Sequence, residues 1–261
     1  MKRVIYSFAL LSIVFASCEE SDSGQPLKAD FDIVIEGEAP NAQLSLVNNS
    51  TSATTYEWEF SEGTSIESST AELPTGITVD KSGDLTITLT AIDGTKQDVL
   101  EKSVTIEGNS AIVEIIDLEF SQTEGDDVYG RSYSINEQAM YLDSDINESN
   151  GGAIDLIYYG DNSAFIYFET PDGEYSSLTV PNAKTTKINN SDSGFEVSVF
   201  DSMIDDAELS SLTVENDDEI IGSLDFPLVV TFETQEGKKG AIKLKAINSS
   251  RLLVDIKVQK Y

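Results

Sequence analysis

From residue 29 onward the chain alternates between apolar and polar positions. FDIVI (31–35), LSLV (44–47), YEWEF (56–60), LTITLTA (85–91) and SVTI (103–106) set apolar residues two apart, with turns rich in Asn, Ser, Gly and Asp between them. A period of two marks a strand with one buried and one wet face, because successive side chains leave a sheet on opposite sides. Short strands at this spacing predict a β-sandwich. Within YEWEF, Tyr56, Trp58 and Phe60 share one face and Glu57 and Glu59 the other, so the single tryptophan belongs to a core and not to an exposed sugar platform.

After the polar turn EGNSA (107–111) the pattern changes. Residues 109–261 are enough for a second domain with its own core. Its expected strands are AIDLIYY (153–159), AFIYFET (164–170), GFEVSVF (194–200), PLVVTFET (227–234), AIKLKAI (241–247) and LLVDIKVQ (252–259). Several are apolar on both faces: Ile154, Leu156 and Tyr158 oppose Ile157 and Tyr159, and Phe165 and Tyr167 oppose Ile166 and Phe168. An antiparallel sandwich strand normally keeps one face wet, so a further layer, the first domain, a partner chain or a ligand has to cover the second face. SMIDDAELSSL (202–212) is the one predicted helix, with Ser202 and Asp205 spaced like a capping box and Ile204, Ala207 and Ser211 on one side. QEGKKG (235–240) reads as a tight basic turn in which Gly237 and Gly240 supply the backbone freedom. The expected fold is all-β, two β-sandwich domains at 29–108 and 109–261.

YEWEFSEG (56–63) resembles the Tyr-x-Trp-x-Phe-Gly-Asp-Gly core motif of the PKD domain, an immunoglobulin-like sandwich. NNS (48–50) matches the turn that precedes the motif in that family, and SGDLTITLTA (82–91) matches its later glycine-led strand. Ser61 and Glu62 stand where Gly and Asp are usual, and Leu85 replaces an aromatic. The resemblance implies a non-catalytic extracellular spacer or interaction module for residues 29–108. No family resemblance attaches to the second domain.

At the N-terminus Lys2 and Arg3 precede a charge-free, largely apolar run (4–16) that is shorter than the roughly 20 residues of a spanning helix. The run ends in VFASC (14–18), which resembles the lipobox of bacterial lipoproteins, with Phe15 in place of the usual leucine. The resemblance implies a signal peptide over 1–17, cleavage before Cys18 and acylation of Cys18. A lone thiol in an oxidising compartment has no disulfide partner, and acylation removes that liability. Two or three acyl chains would hold the protein on its membrane. Residues 18–28, CEESDSGQPLK, have the composition of a disordered tether. Glu19, Glu20 and Asp22 resemble the export signal that sends some lipoproteins to the outer face of the outer membrane, so the expected location is the cell surface, lipid-anchored. This layout is similar to that of lipoproteins from polysaccharide-degrading bacteria.

Charge narrows the partners. With 16 basic and 47 acidic residues the formal net charge is -31, and loss of Lys2 and Arg3 with the leader takes it to -33. Such a surface repels phosphate backbones, which argues against nucleic acid. There is no histidine and only one cysteine, so Ser-His-Asp and Cys-His nucleophile systems and ordinary zinc sites are excluded. No cofactor is implied, and calcium is the one cation with a candidate loop. In DSDINESNGGAID (143–155), Asp143, Asp145 and Asn147 are spaced like the first ligands of a calcium loop. Glu148 stands at the sixth position, Ile154 at the twelfth and Asp155 one place late, as in a plain polar loop joining two strands. Glu124, Asp126, Asp127, Asp217, Asp218 and Glu219 read as solvated loop acids.

Three classes of function remain. In a binding or adhesion lipoprotein, exposed tyrosines stack on sugar rings, and Tyr129, Tyr133, Tyr141, Tyr159 and Tyr175 are the candidates to check, most of which are expected to pack in a core instead. A structural component of an envelope complex would instead present a two-faced apolar sheet to a protein partner. A carboxylate-dependent glycan-active enzyme would hold two acids about 5 to 10 Å apart. The expectation is the first: non-catalytic, membrane-anchored, with a glycan or an envelope protein as partner.

Overall fold

The computed structural model describes residues 25–126, 128–161, 165–173, 178–191, 193–217, 219–222 and 225–261. The chain is all-β, built from antiparallel sheets, and divides into two compact units, one ending at Ala111 and including Tyr261, the other Ile112–Lys260. Cys18 lies outside the described residues.

The first unit carries β1 (Phe31–Glu36), β2 (Ala42–Asn48), β3 (Thr55–Phe60), β4 (Ser68–Ser69), β5 (Ile77–Val79), β6 (Gly83–Asp93) and β7 (Lys96–Ile106). One sheet runs β1-β2-β5 and the other β4-β3-β6-β7. The alternating residues meet in one core: Leu44 and Leu46 from β2, Trp58 and Phe60 from β3, and Leu85, Ile87, Leu89 and Ala91 from β6. Glu57 and Glu59 face water. Residues 25–28, expected in the tether, lie on this unit instead: Lys28 exchanges backbone hydrogen bonds with Thr51 (3.1 and 2.9 Å), and Leu27 packs against the core. Leucine burial and two backbone bonds outweigh the polar composition that suggested a free segment.

The second unit has a four-stranded sheet and a five-stranded one. Its strands are β8 (Ile112–Ser121), β9 (Ser132–Ser134), β10 (Ala139–Tyr141), β11 (Leu156–Asp161), β12 (Phe165–Glu169), β13 (Lys187–Asn189), β14 (Leu228–Glu233), β15 (Lys239–Ile247) and β16 (Arg251–Gln259). The orders are β10-β9-β11-β12 and β13-β14-β15-β16-β8. Tyr158 and Phe168 from the first sheet meet Phe120 from the second, with ring centroids 5.7 and 5.4 Å from it, in a core shared with Val230, Phe232, Ile242, Val254 and Ile256.

Two small clusters answer the question of the second apolar face. On the five-stranded sheet, Val229 and Ala241 are covered by Phe200, Met203 and Leu209. Those residues come from α1 (Val197–Ser202), α2 (Ala207–Ser211) and the link between them. The structure therefore replaces the single helix expected at 202–212 with two short ones, and replaces the strand expected at 194–200 with the entry to α1. Val197 and Phe200, three apart, turn the same way onto the sheet, a helical spacing that the alternating letters of GFEVSVF conceal. Ser202 closes α1, its hydroxyl donating to the Val199 carbonyl, and does not cap a following helix. Helices this short do not persist alone. Burial of Phe200 and Leu209, roughly 1.5–3 kcal/mol each, holds them. On the four-stranded sheet, Ile157 is covered by Ile154 and Val180, with Tyr141, Ile146, Leu178 and Ala183 around them.

Of the two glycines assigned to the basic turn, only Gly237 takes a left-handed conformation, at φ 90°. Gly240 lies in β15, where the Phe232 ring fills the space a Cβ would need.

Candidate functional site

The candidate site is the open part of the outer face of β11 and β12. The two strands pair antiparallel, with Tyr159 opposite Tyr167 and Ile157 opposite Glu169. Period two sends Tyr158, Ile166 and Phe168 inward to the core. It sends Ile157, Tyr159, Phe165, Tyr167 and Glu169 outward. The small apolar cluster covers Ile157 but stops there, leaving Tyr159 and Tyr167 half-buried and Phe165 58% exposed. The Tyr159 and Tyr167 rings stack, with centroids 5.1 Å apart and planes at 27°. Cross-strand aromatic pairs of this kind stabilise a sheet by roughly 0.2–1 kcal/mol, so the rings are held in place.

Although β12 is an edge strand, its edge is sealed. The Phe168 amide donates to Asn190 Oδ1 (2.8 Å), Asn190 Nδ2 donates to the Phe168 carbonyl (2.9 Å), and the Ile221 amide donates to the Ile166 carbonyl (2.9 Å). An open edge invites another strand, and this one is already satisfied. What the ribbon presents to a ligand is its face.

Burial pushes the Tyr167 hydroxyl up to about 12, and the charge of Glu169 adds to the shift. At neutral pH it is an uncharged group able to donate and accept. Arg131, with its side chain only 4% exposed, lies within electrostatic range of Tyr167. Its Nε donates to both carboxylate oxygens of Asp143 (3.0 and 2.9 Å), and it pairs with Glu124 at 3.3 Å. Paired in this way the guanidinium is tolerable inside the protein.

The other tyrosines named from sequence fall elsewhere. Tyr133 is 1% exposed, its ring edge-on to Phe120, so it is a core residue and not a stacking surface. Burial pushes its hydroxyl up to about 12. Tyr129 sits at the surface with the Arg251 guanidinium 4.3 Å from its ring centroid, so one face is occupied by a cation–π contact. Tyr141 packs beside the small apolar cluster, and its hydroxyl donates to Glu137. Tyr175 lies outside the described residues.

The loop spaced for calcium uses its oxygens internally. Asp143 holds Arg131 and also accepts the Gly125 amide (3.0 Å). Asn147 Oδ1 accepts the Ser149 amide and hydroxyl (2.9 and 2.5 Å), while Asn147 Nδ2 and Asn150 Nδ2 both donate to the Asp145 carbonyl (2.8 and 2.9 Å). Two of the acids read as solvated turn out to be caps: Asp126 accepts the amides of Val128 and Tyr129, and Asp217 those of Asn190 and Ser191. Glu124 is engaged by Arg131, and Asp127 and Asp218 lie outside the described residues.

No family model matches the chain, and no curated protein matches it. Among solved structures, a DUF4466 family protein from Parabacteroides merdae is similar at 13% identity, over 90% of this chain and 99% of its own, with a TM-score of 0.46.

Proposed function

We propose that this chain is a non-catalytic, lipid-anchored protein of a bacterial outer membrane whose second unit binds glycan on the open face of β11 and β12. One observation carries the reading: the stacked Tyr159–Tyr167 pair and the exposed Phe165 share one face of a strand pair whose outer edge is hydrogen-bonded by Asn190 and Ile221. Sugar rings present C–H faces that pack on aromatic rings, and their hydroxyls need partners of both kinds, which the uncharged Tyr167 hydroxyl supplies. The anchor rests on Lys2, Arg3 and the VFASC stretch, and the high negative charge suits neutral sugars better than anionic ones.

The test is a glycan array probed with the soluble chain from residue 19, followed by titration of any hit against Phe165→Ala and Tyr167→Ala. Stacking contributions of about 0.5–1.5 kcal/mol per ring predict a loss of roughly two- to tenfold for each variant. A saturable hit that both variants bind as tightly as the parent defeats the assignment of the site, and no hit at all defeats the glycan reading. The anchor is tested separately, by labelling with a clickable palmitate. Label in the parent and none in Cys18→Ala is expected, and equal label in both would remove it.

A further inference from the structure

Most sheet edges in this chain are blunted, and one is not. β4, β5, β10 and β13 are two or three residues long. On β1 the Lys102 ammonium donates to the Phe31 carbonyl, β8 bends at a bulge where Asp117 takes φ 58°, and β12 is satisfied by Asn190 and Ile221. β7 is the edge that remains. It has 11 residues, pairs with β6 from Lys96 to Ile106 without a register shift, and has no strand beyond it among the described residues. Edges of this length and straightness are normally protected, because their unpaired backbone groups accept a further strand.

The phase of the ladder decides which groups are open. Gly94 and Thr95 make a two-residue turn closed by Asp93 and Lys96, so that pair and every second pair after it exchange hydrogen bonds. The bonds on the other side of β6 agree: the Ile92 and Thr86 carbonyls accept from the Thr54 and Ser61 amides (2.7 and 2.9 Å). The amides and carbonyls of Gln97, Val99, Glu101, Ser103 and Thr105 therefore point out from the sheet edge. Their side chains are exposed, Val99 at 53%, while Leu100 and Val104 pack against the core.

We propose that β7 adds to β7 of a second copy, antiparallel and centred on Leu100, joining the four-stranded sheets of the two first units edge to edge. Open residues must face open residues, so the two-fold axis passes through a residue and not between two. Centred on Leu100, Val99 meets Glu101 of the second copy, Gln97 meets its Ser103, and Asp98 meets its Lys102, each contact occurring twice. Centring on Val99 sets Lys96 against Lys102, and centring on Asp98, Glu101 or Lys102 sets that residue against its own like charge. Centres nearer either end leave much of the edge unpaired. Facing like charges destabilise a strand pair and opposite charges favour it, which selects Leu100. In the single copy Asp98 Oδ2 accepts the Ala29 amide (2.7 Å) and Lys102 holds the Phe31 carbonyl. A carboxylate has a second oxygen, and an ammonium has further protons, for the added contact. Both copies use the same surface, so the assembly closes at two.

Sedimentation velocity of the chain from residue 19 tests this, run as a concentration series in about 0.15 M salt, which screens the net charge of the copies more than it screens facing side chains. A concentration-dependent dimer and nothing larger is expected. Val99→Lys, which sets a lysine against Glu101 at two places, should tighten the dimer by roughly two- to thirtyfold, and Val99→Glu should loosen it by a similar factor. Val99→Pro removes an outward amide that no bond to β6 uses and should leave a monomer. Circular dichroism checks that each variant is folded. A parent that stays monomeric at every concentration overturns the proposal. So does a dimer that survives Val99→Pro, a dimer that Val99→Lys loosens, or a series of larger species.

Discussion

Phe31 meets Trp58 edge-on in the first core, with ring centroids 5.2 Å apart and planes at 77°. The positive edge of one ring faces the negative face of the other, and the indole N–H donates to the Ala71 carbonyl (3.0 Å), so the tryptophan is satisfied at both its apolar and its polar end. Trp58→Ala should cost about 3–5 kcal/mol, measured by chemical denaturation followed by circular dichroism. Since the chain has one tryptophan, its fluorescence in the parent reports the first unit alone. A cost under about 1 kcal/mol would mean the side chain is not filling a core.

Two buried tyrosine hydroxyls should respond in opposite ways to removal. Tyr158 donates to Gln122 Oε1 (3.2 Å), while the Tyr133 hydroxyl is buried with no hydrogen-bond partner among the described residues. An unsatisfied buried hydroxyl costs about 1–3 kcal/mol. Tyr133→Phe should therefore be neutral or stabilising, and Tyr158→Phe should lose about 1 kcal/mol. Thermal unfolding of the two variants beside the parent decides it. A clear loss in Tyr133→Phe would show that its hydroxyl has a partner.

The first core was legible in the sequence because every strand there keeps one face wet, so alternation maps directly onto burial, and Trp58 is where its neighbours place it. The second unit was harder to read for a physical reason. Its strands are apolar on both faces, and in such strands alternation no longer says which face meets the main core. Short helices and loops supply the cover, and a segment such as 197–202 is too short for its helical spacing to stand out from a strand pattern. Tyr159 stands in the sequence as one of five stacking candidates that could also pack in a core, and alternation alone does not decide between the two. Its pairing with Tyr167 depends on the cross-strand register, which the pattern within either strand alone does not show. The ion pairs of Lys184 with Asp155 (3.5 Å) and Glu236 (2.7 Å), far apart in sequence, are a property of the tertiary fold alone.

Asp172 should titrate below the ordinary carboxylate range. Burial works against its charge, but hydroxyl donation from Thr170 and Thr185 outweighs it. A carboxylate with a depressed folded value contributes stability that is present above its unfolded value, near 3.8, and is lost as pH falls through the folded one. The side chain is exposed and screening limits the gain, so Asp172→Asn should leave neutral-pH stability within about 0.5 kcal/mol and flatten the acid limb slightly. A carboxyl NMR titration reads the value directly, and a midpoint at or above that of an unstructured peptide would contradict the hydrogen bonding.

Asp143 is committed to Arg131, and this commitment decides how the loop at 143–155 should respond to calcium. A hard cation there would need the carboxylate oxygens that now accept from the guanidinium and the Gly125 amide, and it would take its bidentate partner away from the buried Arg131. Breaking a buried pair by removing one partner costs about 3–5 kcal/mol, more than the roughly 2.7 kcal/mol that a ligand at a hundred times its dissociation constant returns. Millimolar calcium should therefore move the thermal midpoint no further than magnesium does. Asp143→Asn should destabilise the chain by about 3 kcal/mol through the loss of this charged partner of the buried arginine, and Arg131→Met in the same background should restore most of the loss. A calcium-specific rise in the parent that disappears in Asp143→Asn would mean the cation displaces the arginine after all.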